Sequence, residues 1–249
     1  MRIVVSTFVS LTLFATMAFA SQKEDQALLW SLHHCNEQMM NEALIAGANP
    51  NSADVSGSAL VIAMSQVCTY QNVRELLKAG ANPNSLDQGL SILGIATSKS
   101  HYVTQLILDG GADPSFRDAK GETALFYVID TPNIDAADQL LKAGIDVNLP
   151  NNMGDTALLR LASISFNSHD AMITDILGAN PDLNIRGQDG QTFLLRFISS
   201  AVADDEQTAD LVRRLLAQGA DKNVSDGAGK TALDYAQANK MTETEWVLR

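Results

Sequence analysis

A five-residue string returns down this chain at a near-constant interval, and it limits the fold more than any other feature. Gly47-Ala48-Asn49-Pro50-Asn51 comes back as Gly80-Ala81-Asn82-Pro83-Asn84, then as Gly111-Ala112-Asp113-Pro114-Ser115, Gly144-Ile145-Asp146-Val147-Asn148 and Gly219-Ala220-Asp221-Lys222-Asn223. A second string keeps step: Ser58-Ala59-Leu60, Ser91-Ile92-Leu93, Thr123-Ala124-Leu125, Thr156-Ala157-Leu158, Thr192-Phe193-Leu194 and Thr231-Ala232-Leu233. Its closing leucines step by 33, 32, 33, 36 and 39 residues. A unit of that length holds two short helices and a turn, and it buries its apolar surface only against its neighbours.

Each string has a physical reason. The Ser or Thr can cap a helix, its hydroxyl accepting a free amide N–H of the first turn. The Ala and Leu after it begin an apolar face. A second helix ends in paired apolar residues, as in Leu76-Leu77-Lys78-Ala79-Gly80 and Leu140-Leu141-Lys142-Ala143-Gly144, and the glycine suits a left-handed helix end. Pro50, Pro83 and Pro114 stand where a helix cannot continue. After Ile176-Leu177 the register is kept by placing Asn180 at the glycine position, since Asn tolerates the left-handed conformation next best.

Six aligned strings at this period resemble the ankyrin-repeat family. The likeness covers about residues 22–249, although the family's usual Pro and His are replaced by Ala124 and Phe126, or Ala157 and Leu159. Gly229-Lys230-Thr231-Ala232-Leu233-Asp234-Tyr235-Ala236 is similar to a C-terminal capping unit. The resemblance implies an all-α ankyrin-repeat solenoid of about seven helix-turn-helix units, with turn tips along one edge. The units run about 22–51, 52–84, 85–115, 116–148, 149–184, 185–223 and 224–249. It also implies a non-catalytic interaction domain with a protein partner and no cofactor.

Residues 1–20 are excluded from that domain, which starts at Ser21. One positive charge in Met1-Arg2 precedes an uncharged stretch from Ile3, ending in Ala18-Phe19-Ala20. This reads as a secretory signal peptide cut after Ala20; the alternative is an uncleaved anchor. The leader has a bacterial look, so the expected location is the periplasm or the exterior. No later segment approaches the ~20 apolar residues of a membrane span.

The whole chain has a net charge of −12, and loss of Arg2 makes it −13. That balance excludes nucleic acid, which demands a basic footprint. A basic protein partner is its complement, although acidity also serves solubility alone. The chain by itself is expected to be monomeric.

Little in the sequence carries chemistry. The histidines are His33, His34, His101 and His169, the last two near the turn between the helices of their units, where a structural bond to backbone is expected. No nucleophile, metalloprotease or phosphate-loop string is present. His33-His34-Cys35 with Glu37 is no metal site, because adjacent helical residues face different ways. Cys35 and Cys68, the two cysteines, each lie 12 residues before a repeat glycine, so they hold the same position in adjacent units. In an oxidising compartment they are expected to form a disulfide, provided both sit at helix ends where the spacing tightens. The alternative is two buried thiols.

Two units carry longer connections, 163–168 with Phe166, and 199–207. Such insertions fall on loops of one face. Asp204-Asp205-Glu206 reads alternatively as a helix start, where acids suit the dipole. By resemblance to the family, partners are held by turn tips and the exposed side of first helices. The tips map to Asp54, Val55, Asp87, Gln88, Arg117, Lys120, Asn151, Met153, Arg186, Gln188 and Asp226. The helix positions map to Ser65, Gln66, Ser98, Lys99, Asp130 and Thr131, with Phe166 added from its loop. The expected function is a periplasmic interaction scaffold. Its sharper forms are an immunity or inhibitor protein against an effector enzyme, or a protective, chaperone-like partner of another exported enzyme. An array with no specific partner and an enzyme are the remaining readings.

Overall fold

A computed structural model describes residues 21–65, 70–164, 170–200 and 204–249. Two compact units partition it, one ending at Asp113 and one spanning Pro114–Arg249. Both are helical. In the first unit, α1 occupies 21–33, followed by α2 (Glu37–Ile45), α3 (Ala59–Ser65), α4 (Gln71–Lys78), α5 (Ile92–Lys99) and α6 (His101–Asp109). In the second come α7 (Ala124–Asp130), α8 (Ile134–Lys142), α9 (Ala157–Leu161) and α10 (Asp170–Gly178). After them come α11 (Phe193–Ser200), α12 (Asp205–Ala217), α13 (Ala232–Ala238) and α14 (Thr242–Leu248).

Consecutive helices pair, and the first helices of neighbouring pairs pack on one another within each unit. This explains two kinds of sequence. A first helix is covered on nearly all sides, so α3 buries Ala59 through Met64 and exposes Ser65. A second helix is covered on one side. In α4 only Asn72, Val73 and Leu76 are buried. The apolar cores include Leu60, Ile62, Leu76, Leu93 and Ile107 in the first unit, and Leu125, Ile129, Leu140, Leu158, Ile176, Phe193 and Leu215 in the second.

Helix starts follow the capping expectation in part. Ser91, Thr156, Thr192 and Thr231 accept the amides of Gly94, Leu159, Leu195 and Asp234. Thr123 makes no such bond, and the buried Ser58 hydroxyl has no partner. Ser58 offers its amide instead, to Asp87 at 2.6 Å. Helix ends follow the expectation closely. Gly80 sits at φ 93, with its amide on Leu77 O and the Ala81 amide on Leu76 O, the two bonds of a Schellman end. Asn180 takes the same left-handed place at φ 53.

Asp204 is the N-cap of α12, accepting the amides of Glu206 and Gln207 at 2.9 and 3.4 Å. The acidic run therefore starts a helix, and α11 extends to Ser200. Among the described residues no helix is long and apolar enough to cross a membrane.

Candidate protein-interaction surface

Two side-chain ladders build the turns between repeats. The Asx at the third place of each string bends its own turn: Asn49, Asn82, Asp146, Asp182 and Asp221 each accept the amide two residues on. The residue at the fifth place reaches into the next repeat. In the first unit, Asn51 accepts the Asn82 amide and donates to Gly80 O, while Asn84 accepts the Asp113 amide and donates to Gly111 O. In the second, Ser115, Asn148 and Asn184 accept the amides of Asp146, Asp182 and Asp221 at 2.8–2.9 Å. The final Asn of the string is thus a clamp between repeats.

Beyond these ladders the chain makes a hairpin tip. In the first unit the tips pair as short strands, Ala53–Asp54 with Gly57–Ser58 and Leu86–Asp87 with Leu90–Ser91. Gln88 and Gly89 turn the second at φ 49 and 86, the two left-handed residues of the turn that matches strand twist. In the second unit four tips share one closed turn, with amide bonds Asp118–Glu122, Asn151–Asp155, Gly187–Gln191 and Asp226–Lys230.

Several acids and amides that sequence assigns to the binding surface are occupied by this architecture. Asp87 is 9 % exposed and Asn151 7 %. The first holds the Ser58 amide, and the second holds the amides of Met153 and Asp155. Both are therefore corrected from contact residues to turn supports. Asp226 accepts the amides of Ala228 and Lys230 and the Tyr235 hydroxyl. The Tyr235 bond first, then the Lys230 amide, hold its carboxyl below the usual range. Asp118 repeats this pattern with Lys120, Glu122 and Tyr127. Asp54 accepts the Ser56 amide and pairs with His33 Nε2 at 2.8 Å. Burial pushes that carboxyl up, but the His33 and Ser56 bonds outweigh it and lower it.

Other expected residues face solvent. Val55 is 99 % exposed and Met153 62 %; Gln88, Lys99, Lys120, Gln188, Ser65, Ser98 and Thr131 are exposed too. Asp130 is exposed but paired with Nε and Nη2 of Arg160. Arg117 and Arg186 are exposed and also staple one tip to the next. Arg117 donates to Gly121 O and Pro150 O at 2.9 and 2.7 Å. Arg186 donates to Gly190 O and Ser225 O at 3.0 and 3.2 Å. Gln66, Cys68, Phe166 and His169 lie outside the described residues. His33 and His34 diverge, His34 bonding Trp30 O and stacking on its ring at 3.9 Å. His101 opens α6.

Sequence reasoning missed one feature. Arg196, buried in α11, bridges Asp155 and Asp189 at 2.9 and 2.7 Å and donates to Leu159 O. Burial lowers its pKa, but the two carboxylates outweigh that and raise it; Arg196 in turn holds Asp189 below the ordinary range against burial. The signal was present in register. Gly187 stands where the other tips carry Asp118, Asn151 and Asp226, and a Cβ there would collide with the guanidinium and with Asp155.

Residues 93–186 match the family model of ankyrin repeats in three copies. Human neurogenic locus notch homolog protein 1 is 32 % identical over 146 residues, 59 % of this chain and 5 % of that protein. Its human homolog 2 is 30 % identical over 151 residues, 61 % of this chain and 6 % of that protein. The chain thus spans a small fraction of these relatives. The ankyrin repeat domain of Bcl-3, a member of the IkappaB protein family, superposes with a TM-score of 0.73 at 22 % identity. That match covers 90 % of this chain and 97 % of the domain. The fold is therefore the all-α ankyrin-repeat fold.

Proposed function

For a chain that carries ankyrin repeats and folds as an ankyrin-repeat domain, we propose the role of a non-catalytic scaffold that binds a protein through its hairpin tips. One observation supports it above the rest. The ladders and arginine staples fix the tip backbone, yet the tips hold Val55 and Met153 out in water at 99 % and 62 % exposure. Large apolar groups on a pre-ordered backbone can be buried by a partner at little ordering cost. Val55→Ser and Met153→Ser, made separately, test this by capture of the partner on the tagged chain. Each is expected to weaken capture while leaving the melting temperature unchanged. Undiminished capture by both would rule out tip binding.

The finer reading is an exported bacterial protein acting in the periplasm, as an immunity or inhibitor protein that blocks an effector enzyme. A protective or chaperone-like partner of another exported enzyme is the alternative, and the chain alone is monomeric. A basic partner suits the first unit. Residues 52–58 and 85–91 contain no Lys or Arg, and the net charge would speed its approach at low salt. Intact mass of the exported chain tests cleavage after Ala20; retention of residues 1–20 would end that reading.

A disulfide between Cys35 and Cys68 belongs to the same proposal. Its support is that Cys35 lies just past α1, in the turn at φ 54, and is not a free thiol. Alkylation without reductant is expected to modify neither cysteine. Two modified thiols would refute the bond.

A further inference from the structure

We propose that the hairpin tips of the second unit receive an acidic segment of the protein partner, against the sign of the chain as a whole. This rests on the scaffold reading and names the partner's chemistry at one surface. The second unit carries 12 basic and 20 acidic residues, so its overall charge predicts repulsion of anions. At the tips that acidic excess is gone: residues 117–122, 151–155, 186–190 and 226–230, with Arg196, carry five bases and five acids, and four of the bases but one of the acids are exposed.

Of these acids only Asp189 is exposed, so the others keep their charge but present less of it to a partner. Asp118 is buried and bonded to two amides and a tyrosine, and Asp226 has the same three partners. Asp155 and Asp189 are joined through Arg196. The side chain of Glu122 is 12 % exposed and faces Arg160. Asp146, Asp182 and Asp221 belong to the helix-side bends of these turns, each holding an amide.

The bases are presented. Arg117 and Arg186 are exposed, and their bonds go to neutral carbonyls, so their charge is not cancelled. Those bonds use Nε and Nη2 of Arg117 and Nη1 of Arg186. A two-nitrogen edge stays available on each guanidinium, the geometry that grips a carboxylate with two parallel bonds. The carbonyls hold the groups in place beforehand, which cuts the ordering cost of binding. Lys120 is exposed at the first tip, and exposed Lys230 lies 5.4 Å over the Tyr235 ring at the last. Arg117 and Arg186 are two repeats apart, and packed helices repeat at about 8–10 Å. About five or six extended residues would span them.

An octaglutamate peptide titrated into the isotopically labelled chain at low salt tests this by amide shifts. Residues 117–121 and 186–190 are expected to move, although the net charge opposes the encounter. Raising salt about tenfold is expected to weaken binding at least about fivefold, by screening. Arg117→Gln with Arg186→Gln is expected to weaken it about tenfold, but loses two staples. Lys120→Gln leaves every tip bond intact and is expected to weaken it about twofold to fivefold. Octalysine is expected to leave these amides in place. The proposal is overturned if octaglutamate does not move them, if octalysine does, or if Lys120→Gln has no effect. Tighter binding of an eight-residue oligodeoxythymidine would also overturn it, in favour of phosphate recognition. Loss of this peptide binding with capture still dependent on Val55 or Met153 would leave the scaffold reading standing and remove only this one.

Discussion

At the scale of single residues, Arg196 makes the sharpest statement about stability. Its guanidinium ties α11 to the tips of two repeats, so Arg196→Ala is expected to lower unfolding free energy by about 2–3 kcal/mol. Gly187→Ala is expected to destabilise as well, because the added Cβ displaces the same group. Acid should narrow the first difference. The Asp189 carboxyl is held low when folded, so its contribution is present above the ordinary carboxylate pKa and is lost as pH falls through the lower folded value. Urea unfolding of both forms at neutral pH and in acid checks this; an Arg196→Ala penalty unchanged by acid would count against it. Sequence did not reveal the bridge. Arg196 sits within Phe-Leu-Leu-Arg-Phe-Ile, which reads as a helix with one solvated charge, and its partners lie on other turns. Its one trace is a glycine where sibling tips carry Asp or Asn. Asp87 and Asn151 misled for the complementary reason: tip position predicts exposure, whereas their carboxylate and amide oxygens are needed by backbone N–H groups.

At the scale of elements, the last repeat depends on a cap supplied from another helix. Asp205 of α12 accepts the amides of Glu243 and Thr244 and the hydroxyls of Thr242 and Thr244. Met241, the N-cap of α14, offers no side-chain bond of its own. Asp205→Ala is therefore expected to cost about 1–2 kcal/mol and to raise hydrogen exchange over Thr242–Leu248 first. Burial raises the Asp205 carboxyl, but the bonds from α14 bring it below the usual range, so its hold on α14 is present above the ordinary carboxylate pKa and is lost as pH falls through the lower folded value. Uniform exchange along the chain would contradict this. The clamps between repeats carry a second expectation. Asn148→Ala and Asn184→Ala should each cost about 1 kcal/mol in chemical denaturation. Element positions were legible because spacing, glycine and Asx strings recur together, down to Asn180. The capping role of Thr123 and Ser58 was not, since a Thr or Ser at the right place reports availability and not the bond it makes. Ser58 gives its amide to a neighbour's carboxylate.

At the scale of the molecule, the repeat period carries the fold, and the tips are proposed to carry the function. The period is legible because every unit buries its apolar face against a similar unit. The partner is less legible, because tip side chains vary unit by unit and because the charge a tip presents is decided by which side chains the turns bury. The net charge of −12 suggests a basic partner throughout, whereas the second unit turns arginines outward on neutral carbonyls. The central claim is that the tips are the binding surface. Hydrogen exchange of the chain with and without its captured partner tests it most directly. The account expects added protection over tip residues 53–58 and 86–91 in the first unit, or 117–122, 151–155 and 186–190 in the second. Protection confined to the second helices, with every tip exchanging as in the free chain, would contradict it.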